Sequence, residues 1–321
     1  MTARPRDFGE RGDWDSEYHA PALVAPVVEL LSGARVVLDG TLGGGGHSAA
    51  LLAAGVPRVI GVDRDPDALV AASARLAGAV SEGRFSAVRG NYSHLDAIPA
   101  LDGLLFDGIL LDLGISSHQI DDAARGFSFR EGAPLDMRMG SDASGPASLL
   151  LNEADERELA RIFRDYGDEP RAARLAREVV RRRATRPFAT SDDLVGAIRG
   201  ALGPRSGAPE FARLFQAVRI AVNDEIAGLE RALPALRDRL APRGVLAVIA
   251  YHSGEDRLVK HAFREWSRDC VCPPRQPICT CGGANALGEV LTRRAIVATP
   301  DEVARNSRAR SAKLRAWRRA A

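Results

Sequence analysis

The sequence predicts an α/β protein: a doubly wound parallel sheet that a helical segment interrupts. Three observations carry this expectation. Short apolar runs followed by aspartate alternate with helical patterns up to Asp112, a glycine cluster follows the first run, and between residues 123 and 209 the strand signal stops while helical periodicity continues.

Taken in order, residues 1–17 are polar and aperiodic and read as a flexible lead-in, with order beginning at Tyr18-His19. Residues 35–39 are a buried-strand pattern that runs into Gly40-Thr41-Leu42-Gly43-Gly44-Gly45-Gly46-His47 and then an alanine- and leucine-rich helix. Strand, glycine loop and helix open a βαβ unit. A second strand over residues 58–62 ends at Asp63, and Asp65-Pro66 starts the next helix with proline in its first turn. Residues 85–88 and 106–111 read as the third and fourth strands, the fourth ending at Asp112. Leu159, Ile162, Phe163 and Tyr166 then fall at i, i+3, i+4 and i+7, as do Ala172, Leu175, Ala176 and Val179, which marks amphipathic helices. A helix through residues 223–240 leads to a fifth strand at 244–250, and residues 289–299 are candidates for the last strands. The expected organisation is therefore a sheet domain over 18–122 and 210–302, a helical insertion over 123–209, and a basic tail over 303–321.

A length of 321 residues suits two domains at roughly 100–200 residues each. The longest apolar run, residues 22–31, is broken by Pro26 and Glu29 and falls short of the ~20 residues of a membrane helix. Arg4, Arg6, Asp7, Glu10, Arg11 and Asp13 leave no apolar core for a secretory signal, so a cytoplasmic protein with no membrane partner is expected. The net charge of +2 hides an asymmetry: residues 303–321 carry seven basic side chains and no acid, so the rest of the chain is net acidic. A basic tail of this kind attracts polyanions.

A glycine turn at the carboxyl end of a first strand lets a ligand approach the backbone, and Asp63 is placed to accept hydrogen bonds from ribose hydroxyls. That much describes any nucleotide-like cofactor. The dinucleotide pattern G-x-G-x-x-G fails, because it needs glycine in place of Leu42, Ser48 or Ala49 in the three available registers. S-adenosylmethionine has no pyrophosphate to seat but has an ammonium, and Asp39, just before the glycines, fits that need. Ligands of open α/β sheets bind outside the carboxyl ends of the strands, so the polar string Asp112-Leu113-Gly114-Ile115-Ser116-Ser117-His118-Gln119 borders the expected site. A strand cap followed by a serine turn is the plainer reading of the same string.

At this point several strings together resemble a known family. Tyr18-His19-Ala20-Pro21, the glycine loop through Ser48, Asp63-Arg64-Asp65-Pro66, residues 107–117, Arg125-Gly126-Phe127-Ser128-Phe129, Pro134-Leu135-Asp136-Met137-Arg138-Met139, residues 215–223, His252-Ser253-Gly254-Glu255-Asp256-Arg257 and residues 306–315 look like the bacterial 16S ribosomal RNA cytosine-N4 methyltransferases. The resemblance covers nearly the whole chain from Tyr18. It implies a Rossmann-like class I methyltransferase sheet with an inserted helical domain for substrate recognition. It also implies S-adenosylmethionine as cofactor and, as substrate, 16S rRNA within the small ribosomal subunit, methylated at N4 of a cytosine in the decoding region. Carried over by motif, cofactor contacts fall on Gly45, Gly46, His47, Asp63, Tyr92, Asp112 and Gln119. Tyr92 stands where many relatives have phenylalanine. Two further departures are Glu210-Phe211-Ala212-Arg213-Leu214, where Pro-Ala-Thr-Arg is usual, and Tyr251-His252-Ser253-Gly254-Glu255-Asp256, where Phe-His-Ser-Leu-Glu-Asp is usual.

Methyl transfer from a sulfonium needs in-line geometry and acceptors that grip the amine, so Asp112, Ser116 and Ser117 are the expected catalytic residues. His252, with Glu255 and Asp256, is the second set; an ordinary hydrogen-bonded histidine fits it equally well. Arg171, Arg174, Arg177 and Arg181 lie at helical spacing before Arg182 and Arg183, and a phosphate track and a solvated face both fit them. All four cysteines form two Cys-x-Cys pairs, Cys270 with Cys272 and Cys279 with Cys281, which suggests metal before disulfide in a reducing compartment. A structural zinc, a redox-active cluster and no role at all stay open. An oxidoreductase, a DNA cytosine-N4 methyltransferase and a non-catalytic ribosome-assembly factor are the competing function classes.

Overall fold

Strand side chains alternate between two faces, so a sheet covered by helices on both sides needs two cores. The computed structural model describes residues 21–273, 276 and 278–321. The lead-in at 1–17 and the string Tyr18-His19-Ala20 lie outside the described residues. The chain divides into one unit that runs to Gly114 and resumes over Gly228–Ala321, and a second over Ile115–Ala227. The first stretch holds α1 (Val24–Leu31), β1 (Val36–Asp39), α2 (Gly46–Ala53), β2 (Arg58–Asp63), α3 (Pro66–Arg75), α4 (Ala77–Ser81), β3 (Phe85–Arg89) and β4 (Phe106–Asp112). The second unit holds α5 (Ser117–Asp121), α6 (Ala147–Glu153), α7 (Glu156–Asp165), α8 (Ala172–Arg183), α9 (Ser191–Leu202) and α10 (Ala208–Val222). Then come α11 (Glu225–Asp238), β5 (Leu240–Ala250), α12 (Ser253–Trp266), β6 (Gly288–Val290), β7 (Ile296–Val297), α13 (Pro300–Arg305) and β8 (Lys313–Arg319).

The sheet order is β3-β2-β1-β4-β5-β8-β6, with β7 also paired to β8. β1 to β5 are parallel, as the alternating pattern predicts. Val37, Val59, Leu110 and Ala247 face one core with Val27, Leu31 and Leu51. Their neighbours Leu38, Ile60, Leu111 and Val248 face the other with Leu229, Leu233, Val259 and Phe263. Winding reverses between β1 and β4, the switch point where a crevice opens at the carboxyl ends of the strands.

The expected basic tail is corrected here. Residues 313–319 form β8, which pairs antiparallel with β5 from Val245↔Arg318 to Ala250↔Lys313. Leu314, Ala316 and Trp317 are fully buried. The three arginines of β8 are tied down locally. Arg315 Nε donates to Asp256 Oδ1 at 2.6 Å, Arg318 meets Glu289 at 3.0 Å, and Arg319 donates to the Asp238 and Leu240 carbonyls. The apolar positions of this strand are diluted by arginine, and its pairing partner lies far away in the sequence, so no local pattern announced it.

The second unit, taken by itself, has its own core, built from Leu159, Ile162 and Phe163 of α7, Leu175, Ala176 and Val179 of α8, and Leu214, Phe215 and Val218 of α10. Both predicted amphipathic patterns form helices. The unit spans Ile115–Ala227, wider than the expected 123–209, because α10 packs into its core. In the arginine stripe, Arg181 and Arg182 both bond Glu178 at 2.7 Å, while Arg171 and Arg183 donate to the Leu202, Leu151 and Ala154 carbonyls. Glu178 therefore offsets one charge of the stripe, and carbonyls of the same unit hold Arg171 and Arg183 in place. The unusual segment at 210–214 is also structural: Glu210 accepts from the Gly207 N–H at 2.9 Å, and Arg213 pairs with the buried Glu169 at 2.5 Å. Asn223 joins two of the family-like strings, accepting from the Met139 N–H at 2.8 Å and donating to the Met137 carbonyl at 2.7 Å. Gly126 sits at φ 72°, where a Cβ would stand 2.0 Å from the Pro134 oxygen, so only glycine fits that turn.

Candidate active site

The glycine loop is stitched to the strands on either side of β1. The Gly40 N–H donates to the Leu110 carbonyl at 2.9 Å, and the Leu42 N–H to the Val62 carbonyl at 3.0 Å. Gly40 is closely packed, since a Cβ there would stand 2.6 Å from a methyl of Leu111 and 3.4 Å from the Tyr92 Cβ. Gly45 is required by conformation, with φ at 74° as it caps α2. Gly46 opens that helix.

Three aspartates end β1, β2 and β4 and are bonded into this loop. Asp39 is 1% exposed, and accepts from the Ser48 hydroxyl at 2.7 Å and the Thr41 N–H at 3.4 Å. Burial raises its carboxyl above the usual range, against the opposing pull of His47. Asp63 takes the Gly43 N–H on Oδ2 at 2.8 Å and the Asp65 N–H on Oδ1 at 2.9 Å. Burial pushes this carboxyl up to about 6, although both backbone bonds favour its charge. Each oxygen keeps a second lone pair for a ligand hydroxyl. Asp112 donates its N–H to Thr41 Oγ1 at 2.6 Å, and its Oδ1 accepts from the Tyr251 hydroxyl at 2.9 Å. Burial and the neighbouring Asp112 charge raise the Tyr251 hydroxyl well above its ordinary value, so it stays a donor.

His47 links the loop to Asp112. Its Nε2 lies 2.9 Å from the Ala22 carbonyl, which can only accept, so that nitrogen carries a proton. The other ring nitrogen, Nδ1, is 3.6 Å from Asp112 Oδ2. Tyr92 is the first residue of a short 3₁₀ turn, and its Cβ is 3.4 Å from where a Cβ on Gly40 would lie. Asp39, Gly45, Gly46, His47, Asp63, Tyr92 and Asp112 are thus all placed around one loop.

His252 follows Tyr251, whose hydroxyl bonds Asp112, and its Nε2 lies 3.2 Å from Glu255 Oε1. It caps α12, with Nδ1 accepting from the Gly254 and Glu255 N–H groups at 3.2 and 3.4 Å. Glu255 returns the bond, its Oε2 accepting from the His252 N–H at 3.3 Å and also from the Tyr251 N–H at 2.9 Å. Asp256 is held in the ion pair with Arg315. Ser116 and Gln119 belong to the second unit and form a reciprocal capping box on α5. Gln119 N–H donates to Ser116 Oγ at 3.2 Å, and Ser116 N–H to Gln119 Oε1 at 3.0 Å. Ser117 is the first residue of that helix. Sequence reasoning missed Thr41, Ser48 and the Tyr251 hydroxyl as parts of the site. Tyr251 stood among the quoted departures from the family pattern, and its polar end was the available signal.

A family model described as the MraW methylase family matches residues 16–320. Ribosomal RNA small subunit methyltransferase H of Gemmatimonas aurantiaca is 65% identical over 303 residues, covering 94% of this chain and 96% of that protein. The protein of the same name from Heliobacterium modesticaldum is 50% identical over 308 residues, covering 93% and 97%.

Proposed function

We infer, from the premise that the chain belongs to the MraW methylase family, that the glycine loop and its three aspartates seat S-adenosylmethionine for methyl transfer to N4 of a cytosine in 16S rRNA. The protein is a methyltransferase, and its first unit is a Rossmann-like class I methyltransferase sheet. The observation that carries the reading is the stitched crevice: one loop is bonded at once to Asp63 through Gly43, to Asp112 through Thr41, and to Asp39 through Ser48 and Thr41. That arrangement is preorganised for a ligand with a ribose and a cationic end.

When bound, the cofactor supplies an electrophilic methyl group. This chain's residues do the rest by position. Asp63 accepts from the ribose hydroxyls, Gly45, Gly46 and His47 line the loop, and Tyr92 covers the adenine with its ring. Asp39 anchors the loop through Ser48 and Thr41 and sets a negative charge near the ammonium. Asp112, steadied by Tyr251, takes an N–H of the cytosine amine, which frees the amine's lone pair for in-line attack. Ser116 and Ser117 are assigned to the amine from the sequence alone, and within its own unit Ser116 is fixed by Gln119 through the cap of α5. The cytosine must be unpaired or flipped out, because pairing hides N4. The target lies in the decoding region of the small subunit, and the enzyme works in the cytoplasm, where subunits are assembled. Among the described residues no helix is long and apolar enough to cross a membrane.

The test is methyl transfer to purified 30S subunits, naked 16S rRNA and DNA in parallel, with nucleosides of the products resolved by mass spectrometry. N4-methylcytidine at a single decoding-region position of the rRNA is expected. A methyl on C5, or a preference for DNA, would overturn the reading, and cofactor binding without transfer would favour an assembly factor.

A further inference from the structure

The connection between α12 and β6 is closed at its base, and none of its described residues beyond that base is buried. The Leu287 N–H donates to the Trp266 carbonyl at 2.8 Å, and Asn285 bonds the Asp269 carbonyl through both its N–H at 3.2 Å and its side chain at 2.9 Å. Beyond that stem, Val271 and Ile278 are more than half exposed, so apolar burial does not hold the tip. What converges there is sulfur. The Sγ atoms of Cys270, Cys272, Cys279 and Cys281 all lie within 4.8 Å of one another. Four of the separations are 3.8 Å (270 to 279), 4.0 Å (272 to 279), 3.5 Å (279 to 281) and 3.7 Å (270 to 281).

These distances select among the chemistries of four thiols. A tetrahedron of sulfurs around one ion with Zn–S bonds of about 2.3 Å has edges of about 3.8 Å. The observed edges bracket that value. A disulfide needs sulfurs bonded at about 2 Å, and all four thiols are free. The Thr280 N–H donates to Cys272 Sγ at 3.3 Å, a bond that stabilises a thiolate ligand.

We propose that Cys270, Cys272, Cys279 and Cys281 bind one Zn²⁺ ion in a closed tetrathiolate site that clamps the tip of this connection. With four protein sulfurs the coordination shell is full, so the ion has no open position for a reactant and its role is structural. Placement agrees. α12 starts at the carboxyl end of β5, and its 14 residues run back about 21 Å, towards the sheet edge where β6 pairs with the end of β8. That edge is opposite the strand ends that carry Asp39, Asp63 and Asp112.

The test uses the full-length protein, purified under reducing conditions. Elemental analysis after equilibration with Zn²⁺ is expected to find one zinc per chain, and Cys272→Ser or Cys281→Ser should lose it. Titration of the metal-free wild-type protein with Co²⁺ keeps the test independent of variant folding. The chain has only four cysteines, so thiolate-to-cobalt charge-transfer bands with the intense visible bands of tetrahedral cobalt must come from this cluster. Saturation at one Co²⁺, displaced by Zn²⁺, supports the site. Absence of those bands, iron in place of zinc, or intact masses showing disulfides under a glutathione buffer would overturn it. Methyl transfer should persist in a folded Cys272→Ser protein, and its loss would overturn the peripheral structural role.

Discussion

Asp63 carries the most direct test at the scale of a single residue. Its two oxygens already accept backbone N–H bonds, and the ribose adds to them. Asp63→Ala should weaken S-adenosylmethionine binding by roughly ten- to a hundred-fold, the worth of charge-assisted bonds of about 1.5–3 kcal/mol. Calorimetry giving an unchanged affinity would remove Asp63 from the cofactor site. The same carboxyl sets a pH dependence. With its value pushed up to about 6 in the folded chain, and near 3.9 when unfolded, the folded state binds more protons between those limits. Its contribution to stability therefore falls as pH rises from about 4 to about 6. Binding runs the other way, because the ribose requires the ionised form. Cofactor affinity should drop about tenfold per pH unit below about 6 and level off above it. A Kd profile flat from pH 5 to 7 would contradict this.

At the scale of the element, α5 and α10 each give a polar side chain a structural role. Ser116 is the N-cap of α5, so Ser116→Ala costs the helix about 0.5–2 kcal/mol as well as any contact to the amine. Turnover should fall with little change in cofactor affinity, amide exchange in α5 should quicken, and Ser116→Thr should restore both. Rescue of exchange by threonine without rescue of turnover would show that the hydroxyl's position, not the cap, is what the amine requires. In α10, Arg213 holds a carboxylate that is 2% exposed. Arg213→Ala should destabilise the second unit by about 1.5–3 kcal/mol in urea unfolding. The salt slope of rRNA binding should stay the same, and a shallower slope would place this residue on the RNA surface.

At the scale of the whole molecule, the C-terminal residues belong to the sheet. Deleting 303–321 removes β8 and leaves one edge of β5 and all of β6 without a partner. The expected outcome is loss of soluble folded protein, where a free basic tail would leave cofactor binding intact. Trp317→Ala is the milder probe. Trp317 is fully buried against Phe263 and Trp266, so its truncation should cost about 3–5 kcal/mol. Stability within 1 kcal/mol of wild type would mean that β8 is dispensable.

The sequence by itself determined the local grammar of this protein. A strand that runs into glycines, acids that end β1, β2 and β4, a proline that starts α3, and helical periodicity in α7 and α8 are each written within a dozen residues, because φ/ψ preference and side-chain period act over that range. The first five strands and the positions of Asp39, Asp63 and Asp112 followed from that grammar. Only the tertiary structure decided the long-range pairs. Tyr251 meets Asp112 across 139 residues, His47 meets the Ala22 carbonyl across 25, and Arg315 meets Asp256 across 59. It also decided that residues 313–319 of the basic stretch are a sheet strand with Leu314, Ala316 and Trp317 buried, and that His252 is a helix cap. Strand pairing and burial depend on which partner the folded chain brings alongside, and no local pattern encodes that partner.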